Sequence, residues 1–391
     1  MGLVKRTIVF FCFLFLLYFP KGGFKIGEIP ITWGYLMLSI LSIVTSIQAL
    51  ISKRLQFTNQ QAKIFLAWLP FQVYALVEIV FNGFSSFPFF VSFLISFYIL
   101  PLFFLLLGGN FINNVDFSII KSHIKLGVFF VASYGIFLFM YKITTNEFIE
   151  IPYLTINVDD IGQLEDKMIR RGDFFKLIST YNNGNIYGVC MILLLPFYDA
   201  IEKSRVKKTI VSISLFLTLS RTVWIGLLLF YIYKVLTVKV NLKLIVLLSV
   251  ITPLVLGIVF YLLFSVFKFE LAFLFDSELG GRLDQFNIMN DIEIISSRPF
   301  GIIGEIVYLS ILHFFGSIGL LLFLGAFCSI FVFTYPFDNK LSPQKNQLKV
   351  GIFIYMILCC SDGAILLIPT MAFFWFICSV LSSSNKYFYE N

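Results

Sequence analysis

The feature that most constrains this chain is a series of long apolar runs that recurs from one end to the other. Hydrophobic residues make up 59% of the 391 residues and charged residues only 13%, against roughly 25% charged in a typical soluble protein. A soluble fold could not bury that much apolar surface, so lipid must surround most of the chain. The runs do not alternate in polarity, which favours spanning helices over the strands of a membrane barrel.

We predict an all-α fold, a polytopic transmembrane helical bundle of about twelve spans that forms a single integral membrane domain over residues 1–391. The first apolar run is interpreted as an uncleaved helix, because no small-residue cleavage pattern follows it. The predicted spans are 7–20, 31–50, 64–83, 88–108, 124–141, 183–200, 209–220, 222–237, 244–267, 306–335, 350–361 and 364–382.

The distribution of basic residues predicts the orientation of these spans. With the N-terminus inside, the short inner loops hold most of the 29 basic residues and few of the 22 acidic ones, as the positive-inside rule requires. Both termini are then cytoplasmic, and the two large polar loops, 142–182 and 268–305, lie on the outer side. The net charge of +7 does not indicate nucleic acid as a partner, because no basic stripe forms.

Arg221 is the sharpest single polar feature, because it lies between two apolar runs. A charge at mid-bilayer costs roughly 2.5–3.5 kcal/mol on insertion scales, so such a residue needs a water-filled cavity, an anionic partner or a place at the interface. The alternative is a short outer turn that carries an interfacial arginine. The residues alone leave both interpretations open.

The second outer loop has a helical period from Leu283 to Ile295, which predicts an amphipathic helix suited to the membrane interface. Arg282 and Arg298 flank this helix. The simpler interpretation, favoured for Arg298, is that they anchor the helix to lipid headgroups. The predicted apolar face holds Leu283, Phe286, Met289, Ile292 and Ile295.

Glu305 precedes the next span, and Tyr308 and His313 follow inside it. A carboxylate at the mouth of a lipid-facing cavity can act as a general base. The alternative, favoured by the residues alone, is an interfacial glutamate stabilised by the helix dipole. His313 is interpreted as a packed core histidine.

The first outer loop contains Arg171, and Asn182 and Asn183 follow it at the head of a span. Amides at this position can cap a helix, and they can also hydrogen-bond to sugar hydroxyls. The arginines expected on the outer side are Arg171, Arg221, Arg282 and Arg298. Guanidinium groups bind phosphate oxygens in pairs and keep their charge, so this set predicts a lipid that carries a phosphate or pyrophosphate. No metal is expected, because the six cysteines fall inside apolar runs and no metal-ligand spacing occurs.

The order and spacing of these segments resemble the bacterial O-antigen polymerase and ligase superfamily over about residues 165–335. The segments that carry the resemblance are Arg171–Gly172, Asn182–Asn185, Leu217–Trp224, Gly281–Leu283, Arg298–Gly304 and Glu305–Gly319. The resemblance implies a GT-C-like glycosyltransferase of the bacterial inner membrane, with a periplasmic active site and without a metal or other cofactor. Its donor and acceptor would be undecaprenyl-pyrophosphate-linked oligosaccharides, and a chain-length regulator is a further expected partner.

The resemblance also implies roles for particular residues. Arg221 and Arg282 match arginines thought to hold the donor pyrophosphate, and Glu305 is the expected general base. The ligase branch carries His-Asn where this chain has Glu305 and Ile306, which favours a polymerase of surface polysaccharide. The expected helpers are Arg171 and Arg298 for the pyrophosphate and Asn182, Asn183 and Tyr308 for the sugar. The alternatives are a ligase that transfers the glycan to lipid A core and a non-enzymatic flippase for the same lipid.

Overall fold

The structure is a computed structural model that describes residues 2–26, 29–52, 57–164, 170–171, 174–237, 282–334 and 343–383. Most of these residues are helical. The helices are α1 (Gly2–Phe13), α2 (Trp33–Ser52), α3 (Asn59–Asn82), α4 (Phe87–Leu94), α5 (Gly109–Asn114), α6 (Phe117–Thr145), α7 (Gly184–Ile201), α8 (Arg205–Phe216), α9 (Arg221–Thr237), α10 (Leu283–Phe286), α11 (Val307–Phe333), α12 (Pro343–Leu358) and α13 (Ile368–Ser382). Wider π-helical turns, Leu14–Tyr18, Ile95–Ile99 and Leu102–Leu107, extend α1 and α4.

The described part of the chain contains five helices that are long and apolar enough to cross a membrane. They are Asn59–Asn82, Phe87–Leu107, Phe117–Thr145, Gly184–Ile201 and Val307–Phe333. The all-α membrane fold is therefore confirmed at this level. The full count of about twelve spans stays a prediction, and the predicted span 244–267 lies outside the described residues.

Helix α7 is the central element of the bundle, because every residue from Ile186 to Tyr198 is buried. Its main neighbours are α12, α9 and α13. Glycine permits a close approach of α12 to α7: a Cβ at Gly351 of α12 would overlap the Leu193 carbonyl oxygen. Close backbone packing at small residues is how helices associate where lipid gives no hydrophobic driving force.

Helix α11 is broken at Gly316, which has φ 66° and ψ −174°, a region that essentially only glycine adopts. A Cβ here would overlap the Ile294 carbonyl oxygen. The amides of Ser317 and Ile318, which lose their helical partners at the break, donate to the carbonyls of Glu293 and Ile294 at 3.0 and 3.2 Å. The second outer loop is thus joined by backbone hydrogen bonds to the helix that follows it.

This contact corrects the predicted amphipathic helix 283–295. In the structure α10 ends at Phe286, a 3-10 turn covers Asn287–Asn290, and residues 291–306 are not helical. The chain leaves the helix because the carbonyls of Glu293 and Ile294 pair with the broken helix instead. The predicted apolar side chains are still largely exposed, as an interfacial segment requires: Leu283, Phe286, Met289, Ile292 and Ile295.

The first outer loop packs against an antiparallel hairpin of β1 (Gly23–Ile26) and β2 (Ile29–Thr32). Lys25 forms an ion pair with Asp160 of this loop, and the Trp33 indole donates to the Tyr153 carbonyl at 2.6 Å. A second short pair, β3 (Arg170–Arg171) and β4 (Phe174–Phe175), lies later in the loop. The loop is therefore held at the same end of the bundle as the start of α7.

Candidate functional site

Four segments that are distant in sequence meet beside the start of α7. Asn185, in the first turn of α7, donates from Nδ2 to Asp362 Oδ2 at 2.7 Å. Asp362 lies in the turn between α12 and α13, and its charge interacts with those of Glu305 and Arg282. Arg282 and Glu305 form an ion pair through Nε and Oε2. The structure therefore brings together Glu305 and Arg282, two of the three residues predicted to be catalytic.

The backbone around Glu305 is fixed from two sides. The Ile306 amide donates to Gln285 Oε1 at 3.0 Å, and the Val307 amide donates to the Cys359 carbonyl at 3.0 Å. The Gly363 amide donates to the carbonyl of Glu305 itself at 3.4 Å. The entry to α11 is consequently held between the second outer loop and the turn that carries Asp362.

The two members of the ion pair differ in exposure. The Arg282 side chain is 14% exposed and the Glu305 side chain is 41% exposed. Although the pair is in contact, Arg282 Nε is not aligned for a hydrogen bond and has no hydrogen-bond partner among the described residues. The pair therefore neutralises charge without using the full hydrogen-bonding capacity of the guanidinium group.

Asp362 is a buried carboxylate with an altered acidity. Burial raises its pKa to about 6, and the negative charge of Glu305 adds to the rise. Arg282 and the hydrogen bond from Asn185 act in the opposite direction. A carboxyl group whose pKa approaches neutrality can exchange a proton at working pH, which is a common property of functional sites.

Arg221 lies at the border of this cluster, at the first position of α9. The residue two positions before it, Leu219, has φ 49°, so the chain turns sharply into the helix. Arg221 Nη1 is buried and has no hydrogen-bond partner in the described ranges. The neighbouring Thr222 hydroxyl lies 2.9 Å from the Ser361 hydroxyl, next to Asp362. Arg221 is therefore adjacent in sequence to a residue that contacts the turn of Asp362, and its Nη1 is a buried donor without a partner among the described residues.

Arg298 lies apart from these contacts and is engaged elsewhere. Its Nη1 lies 2.6 Å from His313 Nδ1, and its Nη2 lies 3.7 Å from Glu293 Oε1. These contacts join the second outer loop to α11. Arg298 therefore holds the loop to α11 through protein side chains, and the predicted anchoring to lipid headgroups stays a prediction.

The residues predicted to contact sugar are also engaged within the protein. Asn183 caps α7, since its Oδ1 accepts from the amides of Asn185 and Ile186 at 2.8 and 3.2 Å. Asn182 is buried and donates to the Thr155 carbonyl at 2.7 Å. The Tyr308 hydroxyl donates to the Met356 carbonyl at 2.7 Å. The side chain of Arg171 lies outside the described part of the structure.

A cavity of about 450 Å³ lies next to the cluster, on the other side of the segment 182–186. Its walls are mainly apolar and come from α1, α2, the end of the extended α4 and the start of α13. Its charged and amide lining residues, among those described, lie outside the spanning helices and are Lys21, Lys25, Asn157, Asp160, Asn182 and Asn183. Such a cavity, apolar in its depth and polar at one end, matches a lipid with a polar headgroup.

Comparison of the chain with protein-family models, with curated proteins and with solved structures found no match. The superfamily resemblance therefore stays an expectation drawn from the residues quoted above.

Neither Asp362 nor Asn185 was predicted as a site residue. A signal existed for Asp362, because it is an acid between two apolar runs, where ionisable residues are rare and often functional, but its partner could not be read from the sequence. No sequence signal could pair it with Asn185, which lies 177 positions away. Gln285, whose Oε1 accepts from the Ile306 amide, was likewise not predicted as a site residue.

Proposed function

We propose that this protein is a polymerase of O-antigen or a related surface polysaccharide. It joins oligosaccharide repeat units, each carried on undecaprenyl pyrophosphate, at the periplasmic face of the bacterial inner membrane. The observation that carries the proposal is the cluster of Arg282, Glu305 and Asp362 beside Arg221, whose Nη1 is buried without a partner among the described residues.

The unused donor of Arg221 supports a phosphate-bearing ligand. A buried guanidinium N–H without a hydrogen bond costs free energy, which an anionic ligand would recover through charge-assisted bonds, and Arg282 could exchange the Glu305 carboxylate for the same ligand. The apolar cavity beside the cluster supports a ligand with a long hydrocarbon chain. Together these features favour a lipid diphosphate over a free sugar phosphate.

In the proposed reaction, the hydroxyl oxygen of the acceptor sugar forms a bond to the anomeric carbon of the donor sugar. The bond from that carbon to the pyrophosphate oxygen breaks, and its electron pair leaves with undecaprenyl pyrophosphate. Arg221 and Arg282 stabilise the charge that develops on the leaving group. Glu305 takes the hydroxyl proton, after the arriving diphosphate has displaced its carboxylate from Arg282.

The test is reconstitution of the purified chain in liposomes with a synthetic undecaprenyl-pyrophosphate repeat unit. A ladder of lipid-linked oligomers, resolved by electrophoresis and mass spectrometry, is the expected product. Glu305→Gln should abolish the ladder, while Glu293→Gln, which alters a glutamate paired with Arg298, should retain it.

Two other outcomes would assign the chain to the alternative functions. Transfer of glycan to added lipid A core, with no oligomers, would identify a ligase. Movement of the intact lipid-linked unit across the bilayer, with no new glycosidic bond, would identify a flippase. Either result would reject the polymerase.

A further inference from the structure

A second cavity, of about 360 Å³, lies at the end of α7 opposite to the Arg282 cluster. It is formed where α7 ends, α8 begins and α9 ends. Its charged lining consists of Asp199, Arg205, Lys208 and Lys234. The cavity thus lies at the depth of the membrane interface on the other face of the bundle, which the sequence predicts to be cytoplasmic.

The charges in this cavity do not balance. Asp199 is the only carboxylate among the described residues of the lining, and its Oδ1 lies 3.3 Å from Lys208 Nζ and 2.9 Å from Lys234 Nζ. Lys208 Nζ also donates to the Asp199 carbonyl at 2.5 Å. Arg205 is exposed and has no carboxylate partner among the described residues. The lining therefore carries three basic side chains and one carboxylate. Its net positive charge favours an anionic ligand.

The remaining polar groups of the wall suit a phosphate. The Tyr231 and Ser212 hydroxyls lie 2.8 Å apart and form one side of the cavity. Helix α8 begins next to this cavity, with Ser204 as its N-cap, and one side of the helix supplies Arg205, Lys208 and Thr209 to the lining. Hydroxyl groups and basic side chains are groups that bind phosphate oxygens in proteins.

The surface outside the cavity suits hydrocarbon chains. Ile213 of α8 and Leu228, Ile232 and Val235 of α9 are exposed apolar side chains. They lie on the same two helices that supply the basic lining. A ligand that placed a phosphate in the cavity could therefore extend acyl chains along this apolar surface, as a phospholipid of the adjacent leaflet does.

We propose that this cavity binds the phosphate headgroup of an anionic membrane phospholipid, with Arg205, Lys208 and Lys234 as the recognition groups. Basic pockets between transmembrane helices on the cytoplasmic side are typical sites for such headgroups. Asp199 keeps two of the lysines in place in the absence of lipid. The proposal does not depend on the polymerase activity, because the cavity lies at the opposite end of α7.

The experiment uses the full-length purified chain in mixed micelles that contain equal amounts of phosphatidylglycerol and phosphatidylcholine. Lipid retained after gel filtration is quantified by mass spectrometry. The wild type should retain phosphatidylglycerol preferentially. Lys208→Gln with Lys234→Gln should weaken this retention by about fivefold for each basic side chain removed, and Arg205→Gln should weaken it by about fivefold alone.

A matched variant removes two positive charges from the same predicted face without touching the cavity. Lys63 and Lys121 lie near the starts of α3 and α6, and Lys63→Gln with Lys121→Gln should retain phosphatidylglycerol as the wild type does. Arg205→Gln is expected to fold normally, because the exposed Arg205 side chain holds no ion pair with a described residue. A loss of lipid retention in this variant therefore cannot be attributed to misfolding.

Three results would overturn the proposal. The first is equal retention of both lipids by the wild type, and the second is unchanged retention in Arg205→Gln and in the double lysine variant. The third is a rise in thermal stability of lipid-free protein with inorganic phosphate at millimolar concentration that equals the rise with phosphatidylglycerol, since this would identify the ligand as a free anion.

Discussion

Asn185 and Asp362 are joined by a hydrogen bond of 2.7 Å between Nδ2 and Oδ2, although 177 positions separate them in the chain. Asn185 belongs to the buried central helix α7, and Asp362 belongs to the turn that also holds the backbone of Glu305. The bond therefore positions the entry to α11 relative to the centre of the bundle. Any ligand bound at Arg282 lies against groups whose positions α7 fixes.

Asp362→Asn should change how stability depends on pH. The folded-state pKa of Asp362 is raised to about 6, above the ordinary value of about 3.9. The stability contributed by this group is therefore fully present below about pH 4 and is lost as pH rises through about 6. The loss is about 3 kcal/mol, at roughly 1.4 kcal/mol per pKa unit.

We expect the melting temperature of the wild type to fall between pH 4 and pH 7 by more than that of Asp362→Asn. Asp291→Asn alters an exposed aspartate and serves as the control, which should follow the wild type. Parallel curves for the wild type and Asp362→Asn would mean that Asp362 does not titrate in this range.

Arg282→Gln should abolish lipid-linked oligomers in the liposome assay, because it removes a guanidinium group proposed to hold the diphosphate. The expected loss of rate is about 100-fold or more, as for other transition-state donors. Arg298→Gln is the matched comparison, since Arg298 contacts His313 and Glu293 instead, and it should retain oligomers of normal length. Equal losses in the two variants would show that Arg282 and Arg298 do not differ in function.

Arg221→Met should separate stability from activity. Arg221 Nη1 is buried without a hydrogen-bond partner in the described ranges, and such a group costs about 1–3 kcal/mol. Methionine removes this cost while keeping a long side chain, so the melting temperature should stay the same or rise. Oligomer formation should nevertheless be lost. A large fall in melting temperature would show that Arg221 stabilises the fold, and its proposed role in binding would lose its support.

Gly316→Ala should destabilise the protein, because Gly316 has φ 66° and a Cβ would overlap the Ile294 carbonyl oxygen. Strain of this kind costs about 1–3 kcal/mol, apart from the overlap. Gly325→Ala in the same helix is the matched control, since a Cβ there meets nothing within 4 Å. It should leave the melting temperature unchanged or raise it slightly. Similar behaviour of both variants would contradict the break in α11.

Asn183→Ser tests whether Asn183 acts as a helix cap or as a sugar ligand. Serine is also a good N-cap, so the melting temperature should remain close to that of the wild type. Asn183→Ala should lower stability by about 1 kcal/mol. Normal oligomer length in Asn183→Ser would support capping as the role of Asn183. Loss of oligomers with unchanged stability would instead support direct contact with the sugar.

The sequence was informative where a feature is local. Apolar runs predict helices because the bilayer leaves the backbone few other ways to pair, and the described helices lie close to the predicted ranges outside 244–267. The capping role of Asn183 was also within reach, because an amide at the head of an apolar run is a local signal.

Tertiary pairings were not predictable in the same way. The helix predicted over 283–295 ends early because the carbonyls of Glu293 and Ile294 accept hydrogen bonds from the amides at the break in α11. Nothing in the sequence of residues 283–295 predicts those hydrogen bonds. The pairing of Arg298 with His313 and that of Arg282 with Glu305 depend equally on how loops fold back on the bundle. The sequence predicts which arginines lie on the outer side. Only the fold shows which of their guanidinium groups already bond to other side chains of the protein and which do not.

The length of α7 has an electrical consequence. Asn185 and Asp199 are 14 residues apart, or roughly 21 Å along a helix, whereas the hydrocarbon core of a bilayer is about 30 Å thick. On the predicted topology, two ionic recesses approach each other from opposite faces of the membrane, and the apolar layer between them would be thinner than the surrounding bilayer. The membrane voltage would then fall mainly across that layer.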